Sequence, residues 1–220
     1  MKDTMSLNKV LITGSSGGLG MHLAKFFANK GHEIILHGRD KEKLESLKIN
    51  IIRSGNKAEY IIADLNNEKD LANLCEYSSS ENVKILINNA GIICPNLSFS
   101  KITDDIIDSM IVVNLIAPIK IINKLSGNLK YVVNINSMVG IEAKKNRTLY
   151  AASKWGLRGF SNSLKMEDNP YNILDVYPTN IKTWPERENA MDVNVVVNKI
   201  YDSMISNEEE LILDGRINDY

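Results

Sequence analysis

Cysteine is scarce in this 220-residue chain: Cys75 and Cys94 are too few for a disulfide framework and lack the CxxC spacing of a metal knuckle. Both are expected to be buried, reduced thiols. Proline numbers five, and no Pro- or Gly-rich linker, repeat or low-complexity tract breaks the chain, so residues 1–220 are expected to form one domain. Charge of one sign is missing as well. The 26 Lys and Arg against 27 Asp and Glu leave a net charge of -1, which supplies no global field for a nucleic-acid backbone or an anionic membrane. No apolar run approaches the ~18 residues of a membrane span, and the opening nine residues are polar. Neither a secretory signal nor an anchor is therefore expected, and the cytoplasm is the expected location. What is present, 44% hydrophobic and 24% charged residues, is ordinary globular usage.

Seven short apolar runs, at 9–12, 33–37, 58–63, 83–88, 131–135, 173–177 and 210–214, read as strands. Between the first two, Leu19, Leu23, Phe26 and Phe27 repeat at helical spacing, and Gly31 sits where that helix would stop. Strand and helix alternate in this way along the chain. Strands apolar on both sides are what a parallel sheet covered by helices requires, so the expected fold is α/β, a doubly wound, Rossmann-like parallel sheet with helices on both faces.

The sequence Thr13-Gly14-Ser15-Ser16-Gly17-Gly18-Leu19-Gly20 joins the first strand directly to the first helix. A helix N-terminus there offers unpaired backbone N–H groups, and residues without Cβ let a pyrophosphate approach the main chain. Read from the residues alone, a plain tight turn is the alternative. The G-x-x-x-G-x-G spacing of Gly14, Gly18 and Gly20, preceded by Thr13, resembles the short-chain dehydrogenase/reductase family rather than the GxGxxG fingerprint. The resemblance implies one domain carrying cofactor and substrate on the same sheet, with Gly14, Ser15, Ser16, Gly18, Leu19 and Gly20 around the dinucleotide.

The second strand ends His37-Gly38-Arg39-Asp40. Gly38 stands where NAD-preferring relatives place an acid and Arg39 follows it, which resembles the NADP-preferring pattern, so NADP(H) is favoured and NAD(H) is the alternative. Asp40 would either sit near the ribose or cap the helix that follows; the capping reading suits it better. By the same resemblance Asp64 and Leu65 lie near the adenine, and Asn88-Asn89-Ala90-Gly91 matches the fourth-strand motif, placing Asn88, Ala90 and Gly91 beside the cofactor.

Tyr150 and Lys154 are i and i+4 on a predicted helix, with Cβ atoms ~5–6 Å apart. An ammonium ~5 Å from a phenolate at an effective dielectric of ~20 stabilises it by roughly 3 kcal/mol, enough to bring a phenol from ~10 toward 8. Alone, such a pair is common on helices. Ser137, 13 positions earlier and just past the strand 131–135, makes the set specific: serine, tyrosine and lysine with the glycine turn extend the resemblance from about Lys9 to Thr183. Asn114 matches the family's helical asparagine. Ile107, Met110 and Ile111 place it on an apolar stripe, where an unpaired amide would cost about 1–3 kcal/mol. It should therefore have partners, either a water leading to Lys154, as the resemblance implies, or a neighbouring backbone group. The resemblance implies hydride transfer to or from a small carbonyl or secondary alcohol. Tyr150 would be the acid/base, Ser137 would hold the substrate oxygen, and Lys154 would bind the ribose and tune the tyrosine.

Two departures stand out. Pro178-Thr179-Asn180-Ile181-Lys182-Thr183 has Thr179 where the family has glycine, while Pro178, Ile181 and Thr183 remain placed to meet the nicotinamide amide. Only 27 residues separate Thr183 from Leu211, a short span for the region where relatives build a lid, here left to Trp184, Pro185, Glu186 and Arg187. Lys144, Lys145 and Arg147 are either a solvated loop or a receiver for an anionic substrate. Alternative functions are a nucleotide-sugar epimerase or dehydratase, for which the C-terminal part leaves little room, and a non-enzymatic dinucleotide sensor, for which a perturbed tyrosine has no use. A homodimer or homotetramer is implied by resemblance. No metal site is expected.

Overall fold

The structure, a computed structural model, describes residues 8–93, 97–183 and 190–216. Its strands are β1 (Lys9–Ile12), β2 (Glu33–Gly38), β3 (Ala58–Ile62), β4 (Ile85–Asn88), β5 (Tyr131–Ile135), β6 (Asn172–Pro178), β7 (Ile181–Lys182), β8 (Met191–Asp192) and β9 (Glu210–Leu213). The helices are α1 (Gly18–Asn29), α2 (Lys41–Arg53), α3 (Glu68–Ser80), α4 (Asp104–Ile111), α5 (Ala117–Leu125), α6 (Thr148–Lys165) and α7 (Val193–Ile205). Seven strands form one parallel sheet in the order β3-β2-β1-β4-β5-β6-β9, the expected doubly wound architecture. The seven expected runs all form strands, with ends shifted by a residue or two. The short parallel pair β7-β8 was not expected; it is too brief to leave a periodic signal.

Alternation along each strand feeds two cores. Val10 and Ile12 face one core with Leu23 and Phe27 of α1, Leu44 of α2 and Val197 and Ile200 of α7. Leu11 faces the other with Leu74 of α3, Ile121 of α5 and Phe160 of α6. Side-chain caps open several helices: Asp40 accepts from the Lys43 amide at 3.1 Å, so the capping reading of that residue holds, and Asn67 and Asp192 cap α3 and α7. Cys75 is buried and reduced, as expected, while Cys94 lies outside the described residues. No described helix is long and apolar enough to cross a membrane.

One row of the sheet breaks the apolar pattern. Asn88, Asn134 and Asp175 are direct register partners on β4, β5 and β6. Asn88 donates to Asn134 at 2.9 Å, and Asn134 donates to Asp175 at 3.1 Å. Asp175 also accepts from Ser161 at 2.9 Å and from the Lys165 ammonium at 2.8 Å. Its side chain is fully buried and burial raises its pKa, opposed by Lys165 and the neighbouring donors. Removing one member of a buried pair leaves the other uncompensated. Lys165→Met should therefore cost about 3 kcal/mol in urea unfolding at pH 8. The loss should shrink as the pH is lowered, because the raised pKa lets Asp175 take up a proton in the fold before a free aspartate would.

Candidate active site

The winding reverses between β1 and β4, and there the carboxyl ends of the central strands open into a cleft of about 840 Å³. The turn after β1 forms its floor. Gly14 has φ of +67°, and a Cβ on it would stand 2.8 Å from Ala90 Cα, so both its conformation and its surroundings demand glycine. A Cβ on Gly20 would lie 2.4 Å from the Gly14 carbonyl oxygen, which is how α1 packs tightly enough to aim its N-terminus into the cleft. Gly17, the N-cap, has no side-chain partner for the first helical amides, and both Gly17 and Gly18 are open on the side a Cβ would fill. That cradle suits a phosphate group.

Of the residues expected around a cofactor, Gly14, Ser16, Gly18 and Leu19 line the cleft from the turn and Arg39, Asp64 and Leu65 from the ends of β2 and β3. Ala90 and Gly91 line it after β4, and Pro178, Ile181 and Thr183 after β6. Arg39 pairs with Asp64 at 3.8 Å, both side chains being substantially exposed. Four residues stand behind the wall instead, among them Lys154, expected at the ribose but buried with its ammonium on the Ile135 carbonyl. Ser15 is fully buried with its hydroxyl on the His37 carbonyl, Gly20 is the packing contact just described, and the Asn88 side chain points into the polar row across the sheet. Asn89 takes the place expected of Asn88: it lines the cleft and donates to the carbonyls of Thr13 and Gly14 at 2.9 and 3.1 Å.

Ser137 follows β5 and Tyr150 stands in the first turn of α6; both line the cleft, with Ser137 close enough to bear on the Tyr150 pKa. Lys154 is one helical turn on, its ammonium 5.8 Å from the Tyr150 ring centre and donating to the Ile135 carbonyl at 2.9 Å. Among the described residues no carboxylate pairs with it, and burial lowers its pKa to about 8. The electrostatics thus differ from the expectation of a phenol drawn down by its lysine. Burial raises the Tyr150 pKa, and the opposing influences are the Ser137 hydrogen bond and the charge of Arg147. Desolvation acts on both members of the pair, and it falls hardest on the more deeply buried lysine.

Asn114 sits in a π-helical turn, Val112–Ile116, between α4 and α5. Its oxygen accepts from the Ile92 amide at 2.7 Å, and its nitrogen donates to the Ile92 carbonyl at 2.9 Å and to Ser153 at 3.2 Å. These bonds give the buried amide the partners it was expected to have. Asn114 clasps the strand exit after β4 to the helix carrying Tyr150 and does not itself reach the cleft surface.

The opposite rim holds residues that left no motif. Thr179, the departure from glycine, does not adopt positive φ; its hydroxyl donates to the Leu213 carbonyl at 3.3 Å and accepts from the Gly215 amide at 2.9 Å. The turn thus held carries Arg216, whose guanidinium grips Asp214 and reaches Glu142 through two bonds of 3.0 and 3.1 Å. Lys144 and Arg147 line the same side of the cleft, whereas Lys145 does not. Trp184, Pro185, Glu186 and Arg187 lie outside the described residues. Three or four His, Cys, Asp or Glu side chains arranged to hold a metal do not occur among the described residues.

A family model described as short chain dehydrogenase matches residues 8–193. Nodulation protein G of Rhizobium sp. (strain N33) is 35% identical over 172 residues, covering 75% of this chain and 69% of that protein. The 3-oxoacyl-[acyl-carrier-protein] reductase FabG of Rickettsia prowazekii (strain Madrid E) is 34% identical over 164 residues, covering 71% of this chain and 65% of that protein, just under two thirds of its length. The short-chain dehydrogenase from Sphingobium yanoikuyae in complex with NADPH superposes with a TM-score of 0.85 at 28% identity, covering 94% of this chain and 87% of that one.

Thr179→Val should free the 213–216 turn, because valine keeps the shape and loses both bonds. The expected result is a stability loss of about 1–2 kcal/mol and faster amide exchange at Gly215, with Thr179→Ser close to the parent. The chain, an oxidoreductase by its fold and matched residues, belongs to the short-chain dehydrogenase/reductase family.

Proposed function

We propose that this protein is an NADP(H)-dependent oxidoreductase acting on a small carbonyl or secondary alcohol, with Tyr150 as the acid/base. The observation that carries the reading is the convergence of Ser137 and Tyr150 on one cleft with the glycine cradle at the N-terminus of α1. The open faces of Gly17 and Gly18 and the uncapped amides of α1 fit a pyrophosphate, and Arg39 at the end of β2 fits a 2′-phosphate. The bound dinucleotide supplies hydride at its nicotinamide C4.

The chain supplies position and protons. Ser137 donates to the substrate oxygen, and the Tyr150 hydroxyl delivers the proton that the developing alkoxide needs. A phenol whose pKa is held high by burial stays protonated at neutral pH, which suits the reductive direction. Lys154, fixed on the Ile135 carbonyl, holds its ammonium 5.8 Å from the centre of the tyrosine ring. Asn114 acts as a positioning residue through Ile92 and Ser153. NADP(H) over NAD(H) is supported by Arg39 and by the NADPH bound in the Sphingobium relative. Reduction of a 3-oxoacyl group, the reaction in the name of the Rickettsia relative, is the first substrate class to try. Further support for association into dimers or tetramers comes from family resemblance.

Two measurements test this reading. Tyr150→Phe should lower NADPH oxidation with 3-oxoacyl esters and simple ketones, followed at 340 nm, by roughly a thousandfold or more, while NADPH affinity changes less than about threefold. Arg39→Ala should weaken NADPH by about tenfold or more and leave NADH nearly unaffected, as expected for loss of a charge-assisted phosphate contact.

A further inference from the structure

His37 stands at the end of β2, 2% exposed, between the glycine turn and the residue that follows β3. Its backbone carbonyl accepts from the Ser15 amide at 2.8 Å and from the Ser15 hydroxyl at 3.2 Å. Its ring reaches in two directions: Nδ1 lies 3.2 Å from the Gly14 amide nitrogen, and Nε2 lies 3.1 Å from the Ala63 carbonyl oxygen. A carbonyl only accepts, so Nε2 carries the proton; an amide N–H only donates, so Nδ1 keeps its lone pair free. Both neighbours demand the same neutral tautomer. Burial favours it further and holds the ring pKa at about 4, against the weaker pull of Ala63 and Asp64. The charged groups nearest along the chain, Arg39 beyond β2 and Asp64 beyond β3, pair with each other at 3.8 Å.

We propose that His37 is the positioning residue of the dinucleotide-binding turn: its ring fixes the Gly14 amide and its carbonyl fixes Ser15, so that the amides at the start of α1 face the cleft. The inference rests on the dinucleotide reading above. Gly14 is where the chain leaves β1 at φ of +67°, and its amide is the first in the turn whose direction decides where the following residues go. The Gly14 N–H finds its acceptor on His37, a residue 23 positions away. Ser15 is tied to the same residue, so one side of the cradle is set by β2 rather than by the turn itself. His37 is among the residues lining the cleft, with Gly14 and Gly38.

Three variants separate positioning from plain structural support. In His37→Asn, Oδ1 stands where Nδ1 stood and accepts from Gly14, but nothing reaches Ala63. In His37→Gln, the terminal amide stands where Nε2 stood and donates to Ala63, but Gly14 loses its acceptor. His37→Ala removes both. Binding is read by titrating NADPH fluorescence, and turn order by amide exchange at Gly14 in the absence of dinucleotide. Asn should bind NADPH within about threefold of the parent, while Gln and Ala weaken it by roughly tenfold and speed Gly14 exchange by a similar factor. The opposite ranking, Gln like the parent and Asn weakened, or equal behaviour of all folded variants, overturns the proposal.

If the parent fails to bind NADPH, the dinucleotide reading falls on its own, and Gly14 exchange in the Asn and Gln variants still decides the positioning role. If neither Gln nor Ala folds, 15N shifts of the His37 ring in the parent decide it. An unprotonated Nδ1 coupled to the Gly14 amide supports the proposal, and a protonated Nδ1 overturns it.

Discussion

Where β1 and β4 end side by side, the chain on either side of the sheet is tied into a single knot. Thr13 Oγ1 accepts from the amides of Asn89 and Ala90, each at 3.0 Å, while the Asn89 side chain donates back to the carbonyls of Thr13 and Gly14. Four hydrogen bonds, each worth about 1 kcal/mol net, draw two loops so close that Gly14 has no room for a side chain against Ala90. Everything chemical is arranged around this contact. It sits at the switch point of the winding, so helices diverge from it and leave the cleft open above. It also holds the Gly14 carbonyl, on the opposite side of the turn from the His37 ring that meets the Gly14 amide.

Two lysines of α6, Lys154 buried and Lys165 partly buried, show what the site costs. Lys165 meets the carboxylate of Asp175 at 2.8 Å within a row of hydrogen-bonded polar groups. Lys154 has a carbonyl in that role and pays in its pKa, which burial lowers to about 8. A carbonyl dipole compensates an ammonium less fully than a carboxylate does, but it leaves the positive charge available to the neighbouring tyrosine. That is a local sacrifice of stability at the place where the chemistry is expected.

The polar side chains that support the site come from distant elements. Asn114 ties Ile92 to the helix carrying Tyr150 through a π turn. Thr179 pins the 213–216 turn whose arginine crosses to Glu142, 74 residues away. Among the described residues, a salt-bridged clasp between Arg216 and Glu142 closes the rim at one point.

Short apolar runs and a helical repeat, together with the glycine turn, made the strands, the first helix and the winding legible, because burial of apolar side chains on both faces of the sheet writes itself into local order. The spacing of Ser137, Tyr150 and Lys154 was legible for the same reason: one turn of helix and one strand end are local objects. Charge and hydrogen-bond partnership were not. That the Tyr150 pKa rises while that of Lys154 falls, that Asn88 turns into the sheet while Asn89 faces the cleft, and that Thr179 holds Gly215 depend on how deeply each group is buried and what stands opposite. Desolvation and pairing are properties of three-dimensional neighbours, and residues as far apart as Glu142 and Arg216 become neighbours only once the sheet has assembled.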